Sequence, residues 1–271
     1  MIIQPSKEIW KPKLILPPKG LTIPKPRVPL QMMAPQSSSY LFGVAGRRRI
    51  SVSPYYPVGA DCVGYWPFGD GSDGYGDPTF ADHSSYGNHG TNFGSTMKPF
   101  GSHFDGTDDR VTVTHTDSLN LTTIHVMVWM QWQQWESYAA IVEKSAAGID
   151  GWGLWNGHSW NGPFFYTQHY YHGYWYPYSG LGINLALDTW YFIDGFGIVG
   201  SANVGYDLNY GTGGTFTTEE SITNTTNILI GGWAAGGYLH CTIGEVLLFN
   251  AIKDLTYKTD IRNFTKGRYG L

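Results

Sequence analysis

Between Val63 and Phe249 the sequence breaks into short strand-like runs separated by turn residues, and this rhythm constrains the fold more than any other feature. Val111 to Val113, Ile124 to Trp129, Trp190 to Ile193, Ile228 to Ile230 and Ile243 to Phe249 are such runs. Gly-, Asn- and Asp-rich stretches bound them, for example Asp70 to Gly74 and Gly211 to Gly214. Glycine makes up 36 of the 271 residues, well above the usual share of about 7%. Charged residues are only 14%, which argues against a coiled coil, a helical bundle or a charged disordered chain. One stretch reads as a helix, Asp254 to Phe264, with Asp254 as its N-cap. The expectation is an all-β chain with one antiparallel β-sandwich domain over 58–271.

The first 57 residues are a different object. They hold ten of the 15 prolines. Proline removes backbone donors and holds the residue before it extended, so a helix is excluded there. Ile, Leu and Val alternate with Pro and Lys, so the stretch reads as an extended arm that docks on a partner rather than as a polar linker, with a disordered basic tail as the alternative. Residues 1–50 carry nine Lys/Arg against one acid, Glu8, a net +8. The remaining 221 residues carry 8 Lys/Arg and 20 Asp/Glu, a net -12, so the overall -4 hides two opposite charges. The expected anchoring residues are Lys11, Lys13, Lys19, Lys25, Arg27, Arg47, Arg48 and Arg49. The acidic remainder argues against nucleic acid as the partner. No apolar run approaches the length of a membrane span, and the N-terminus lacks the pattern of a secretory signal.

Three further features bear on function. Carboxylates and Asn gather in the Gly-rich turns, as calcium ligands do and as turn-shaping side chains do. Residues 152–178 hold twelve aromatics, with Leu154 as their one aliphatic Leu, Ile or Val. Trp152, Trp155, Trp160, Tyr166, Tyr170, Tyr174, Trp175 and Tyr178 are the candidates for binding a glycan or a protein partner, since Tyr and Trp offer flat apolar area with a polar edge. Internal packing is the alternative. No paired-acid strand pattern, nucleophile elbow or phosphate loop is present, so the expectation is a protein that is not an enzyme. The two cysteines, Cys62 and Cys241, are expected as free buried thiols.

Several segments in order carry a resemblance. They are Gly64-Tyr65-Trp66-Pro67-Phe68, Asp82 to Gly90, Phe104-Asp105-Gly106-Thr107-Asp108-Asp109, Ile230-Gly231-Gly232 and Gly244-Glu245-Val246-Leu247-Leu248-Phe249-Asn250. Over about residues 63–268 the chain resembles the laminin-G-like jelly roll of the concanavalin A-like lectin/glucanase superfamily. The resemblance implies two packed antiparallel sheets. It implies a calcium held by Asp82, Asn88 and Glu245, although Gly244 stands where relatives carry an Asp. A basic arm ahead of such a domain is similar to accessory structural proteins of tailed bacteriophages. That likeness implies a capsid decoration or head-fibre protein on the virion surface. Its implied partners are other virion proteins, copies of itself in a homo-oligomer, and glycans. The alternatives are a tail or neck protein, a purely structural cement, and a free or cell-surface extracellular carbohydrate-binding module.

Overall fold

A computed structural model describes residues 55–69, 79–135, 139–145, 150–156, 163–169, 185–198, 203–208, 214–217, 224–233 and 236–271. Residues 1–54 of the arm, including all eight of its expected anchoring residues, lie outside them. Fifteen strands run through the described residues. They are β1 (Cys62–Pro67), β2 (Thr79–Phe80), β3 (Gly90–Phe93), β4 (Thr96–Lys98), β5 (Gly101–Asp105), β6 (Arg110–Val113), β7 (Thr123–Trp132) and β8 (Ala139–Ser145). The rest are β9 (Asp150–Asn156), β10 (Pro163–His169), β11 (Trp190–Ile198), β12 (Asn203–Leu208), β13 (Gly214–Thr217), β14 (Ile228–Ile230) and β15 (His240–Phe249). The helix α1 (Leu255–Thr265) follows, then a 3-10 turn over Lys266–Tyr269.

The strands form two antiparallel sheets. One runs β13-β12-β11-β7-β15-β5-β4, with β1 also paired to β15. The long β15 makes this possible: β5 pairs with its first half, from His240 to Ile243, and β1 with its second, from Glu245 to Phe249. The other sheet runs β10-β9-β8-β14-β6-β3-β2. Their inner faces meet in the main core, where alternate residues of each strand point inward. Ile124, Val126, Val128, Met130 and Trp132 of β7 face Val111, Val113, Ile228, Ile230 and Leu154 from the other sheet. Phe104 and Val111 point inward on either side of an Asp-Gly turn, as their spacing implies.

The opposite face of the first sheet is buried as well. Met127, Trp129, Phe192, Leu247, Phe249, Cys62 and Tyr65 form a second core with Ile261 and Tyr269. Apolar residues on both faces of Ile243 to Phe249 thus reflect burial on both sides. Helix α1 supplies the described part of the second cover, through Lys258, Ile261 and Thr265 on one helical face. The Asp254 side chain accepts from the Tyr257 amide at 2.8 Å and starts the helix. Tyr55, Tyr56 and Val58 also pack on this core, so two residues expected in the arm belong to the domain's packing.

Both cysteines are free and buried. Strand β1 does neighbour β15, but Cys62 sits opposite Phe249 at the far end of β15 from Cys241. Eight residues of strand separate those ends, about 25 Å, and the two thiols lie in different cores. Burial pushes the Cys62 thiol up to about 12 and raises Cys241 too, which makes both inert. Among the described residues no helix is long and apolar enough to cross a membrane.

Candidate functional site

Of the residues expected to hold calcium, Asp82 and Asn88 share one set of hydrogen bonds and Glu245 belongs to another. Asp82 is saturated by the turn it shapes. One carboxylate oxygen accepts from the Tyr65 and Ser84 amides, each at 2.8 Å. The other accepts from the Ser84 hydroxyl and the Asn88 amide, each at 2.7 Å. Asn88 in turn donates to the Val63 carbonyl at 2.7 Å and accepts from the Thr116 hydroxyl at 2.7 Å. Asp82 and Asn88 are therefore together, in the role of turn-shaping residues.

Glu245 is committed to a cation of the chain itself. Its Oε2 accepts from the Tyr65 hydroxyl at 2.8 Å and from Arg268 at 3.0 Å, and its Oε1 from the Tyr269 hydroxyl at 3.3 Å. Burial pushes the carboxyl up, and Arg268 pulls it back down. At Gly244, where the resemblance would put an Asp, the space is already taken. A Cβ there would lie 2.5 Å from the Tyr269 hydroxyl oxygen, so the tyrosine occupies that space. Among the described residues, the acids whose oxygens cluster closely are Asp105, Asp108 and Asp109, within 4.8 Å of one another.

The aromatic belt divides. Trp152 points into the main core and is 3% exposed, and Trp155 is 1% exposed on the outer face of the second sheet. Trp155 packs against Ala140 and Trp233. Strand alternation accounts for this: Trp152 and Leu154 turn inward from β9, and Trp155 turns outward. Neither ring is a free stacking surface. Tyr166 pairs through its backbone with Gly153, while its side chain lies outside the described residues, as do Trp160, Tyr170, Tyr174, Trp175 and Tyr178.

An accessible aromatic patch stands on the outer side of the second sheet, built from residues that sequence spacing does not link. Phe93 of β3 and Arg110 of β6 face each other across the ladder. The Arg110 guanidinium lies 4.7 Å from the Phe93 ring centroid, a cation–π contact. It also donates to the Asp108 carbonyl at 3.2 Å, and it has no ion-pair partner among the described residues. Beside it, Gly232 forms the floor. A Cβ there would lie 2.8 Å from the Tyr238 ring and 3.4 Å from the Arg110 Cβ, so both side chains close over it. Trp233 follows, its ring 5.1 Å from Trp155 at 61°. Phe93 is 42% exposed, and Arg110, Trp233 and Tyr238 are half-buried. The one signal of this patch in the sequence is Gly231-Gly232-Trp233, a tight turn ending in a large ring.

Among the described residues, α1 and the following turn cover the centre of the outer face of the first sheet. Three side chains there form a buried relay. His125 Nε2 and Asp194 Oδ2 are 2.7 Å apart, and Lys258 is 3.2 Å from the same oxygen. The Lys253 amide donates to His125 Nδ1 at 2.8 Å. Nδ1 is therefore unprotonated and Nε2 carries the hydrogen given to Asp194. Burial lowers the affinity of His125 for a second proton. The relay pins the helix to β7 and β11 and is closed to any ligand.

No protein-family model matches the chain, and no curated protein matches it. Solved structures do share its fold. Botulinum neurotoxin type C, whose cell entry is described as dependent upon interaction with two ganglioside molecules, is similar with a TM-score of 0.51 and 12% identity. That likeness covers 77% of this chain and 51% of the toxin chain. Trypanosoma rangeli sialidase is similar with a TM-score of 0.52 and 14% identity, over 79% of this chain and 35% of that one. The chain thus spans about half the length of the first and about a third of the second. At these identities the likeness establishes a lectin-like β-sandwich fold.

Proposed function

We propose that this chain is a non-catalytic carbohydrate-binding module that adheres to glycans through the outer side of its second sheet. The observation that carries this reading is the patch of Phe93, Arg110, Tyr238 and Trp233. It combines aromatic rings with a guanidinium that has no ion-pair partner among the described residues, which is what sugar recognition requires: apolar faces for ring stacking and donors for hydroxyls. The ganglioside dependence described for the structurally similar neurotoxin supports the same direction. A glycan array probed with the full chain tests it. Binding that is lost on Phe93→Ala and Tyr238→Ala, with melting temperature unchanged, supports the reading. Absence of binding to every immobilised glycan overturns it.

The fuller reading places the module on a virion, as a capsid decoration or head-fibre protein with a laminin-G-like domain facing outward. Its support is the charge split, a net +8 in residues 1–50 and -12 in the rest. The basic, proline-rich arm would attach to an acidic shell, and many copies would turn weak sugar binding into firm adhesion. Deleting residues 2–50 abolishes particle attachment while leaving the domain folded. Retained attachment refutes this placement and leaves a free or cell-surface module, or a tail or neck protein held another way.

A further inference from the structure

We infer that the Phe93–Arg110–Tyr238 patch takes a neutral hexose-type glycan and discriminates against acidic ones. The inference rests on the carbohydrate-binding reading and specifies its ligand class.

Arg110 is the cation of the patch, yet acids surround its base. Its guanidinium donates to the Asp108 carbonyl, and the oxygens of Asp105, Asp108 and Asp109 lie within 4.8 Å of one another. Asp105 and Asp108 are exposed, and Asp109 is buried beside Gly94, the residue after Phe93. The Asp109 carboxylate accepts from the Asp105 amide at 2.8 Å, and the Asp105 carboxylate from the Thr107 amide at 2.8 Å. Burial raises the Asp109 carboxyl, and the charges of Asp105 and Asp108 raise it further. Three carboxylates against one guanidinium leave this corner negative, on a part of the chain with net charge -12. A sialic acid carboxylate or a sugar sulfate arriving here meets net repulsion.

A neutral pyranose meets a matched set of groups. Arg110 has five N–H donors, one of them used on the Asp108 carbonyl. The Asp108 carboxylate is exposed and accepts from hydroxyls. Arg110 and Asp108 together can bridge two adjacent hydroxyls, one as acceptor and one as donor. The C–H face of the sugar then rests on Phe93, whose ring lies under the guanidinium, or on Tyr238, whose ring packs over Gly232 beside the Arg110 Cβ.

The test titrates the full chain, in buffer containing EDTA, with lactose, cellobiose and maltose, and with 3′-sialyllactose and 6-sulfolactose. The readout is saturation-transfer NMR. The expected result is binding of at least one neutral disaccharide, insensitive to salt, and weaker by about three- to tenfold when an acidic group is added. Phe93→Ala reduces the neutral affinity by about tenfold. The double variant Asp105→Asn with Asp108→Asn narrows the gap between neutral and acidic sugars. Tighter binding of the acidic sugars, weakened by salt, overturns this inference and leaves the carbohydrate-binding reading standing. Binding of none of the five sugars overturns the inference; if the array also shows none, the carbohydrate-binding reading falls with it.

Discussion

Tyr269 fills the space that a side chain on Gly244 would occupy, and its hydroxyl reaches the carboxylate of Glu245 next door. The contact joins the end of the described chain to the middle of β15, a central strand of ten residues. Replacing Gly244 with Ala forces the two apart. Overpacking of this kind costs about 1–3 kcal/mol, so Gly244→Ala lowers the urea midpoint accordingly. A paired Tyr269→Phe change does not restore it, because the ring remains in place.

The turn at Asp82 gives the second prediction. Its four hydrogen bonds come from the protein itself, so chelation with EDTA leaves the melting temperature unchanged. Asp82→Ala, in contrast, strands the Tyr65 and Asn88 amides in buried surroundings and costs about 1–3 kcal/mol. A melting curve that falls in EDTA would instead place a structural cation at this turn.

Acid should loosen the helix. His125 is neutral in the folded chain, with its affinity for a further proton lowered by burial. In the unfolded chain it takes up that proton near pH 6.5. The stability that neutral His125 supplies is therefore complete above about pH 6.5 and is lost as the pH falls through the folded value. The urea midpoint drops as the pH falls below about 6.5. His103 is shifted in the same direction and contributes to the same slope. In His125→Gln the drop is shallower and the part due to His103 remains.

Helix α1 depends on its cap. Asp254→Ala removes the acceptor of the Tyr257 amide and costs about 1 kcal/mol. Because the helix covers the second core, tryptophan fluorescence reports the loss through Trp129, whose indole donates to Thr265 at 2.8 Å.

The legible parts of this chain were those fixed by near neighbours in sequence. Asp254 ahead of a helix-compatible stretch and the Asp-Gly turn between Phe104 and Val111 carry their reasons locally. Burial of Ile243 to Phe249 on both faces was legible too, although alternation alone could not name Ile261 and Tyr269 as the cover. The candidate surface was harder. Density of aromatics pointed to Trp152 and Trp155, but strand phase and a neighbouring Trp bury them. Phe93, Arg110 and Tyr238 come from three separate segments, joined only by the ladder β3–β6 and the bridge between Gly232 and Tyr238. Glu245 fits the motif of the resemblance by letter, yet its carboxylate is bonded to Arg268, 23 residues on, a pairing that spacing does not announce.

The pairing of β1 with β15 also dictates an order of events during synthesis. Tyr65 must wait for Glu245, 180 residues later, before its hydroxyl is satisfied. Until that strand leaves the ribosome, β1 has no ladder partner in the described structure and β7 lacks one of its two neighbours. So many long-range pairings make closure slow. The nascent chain therefore holds Trp66, Trp129 and their apolar neighbours uncovered for most of its translation, and it is in that interval that assistance from chaperones would matter most.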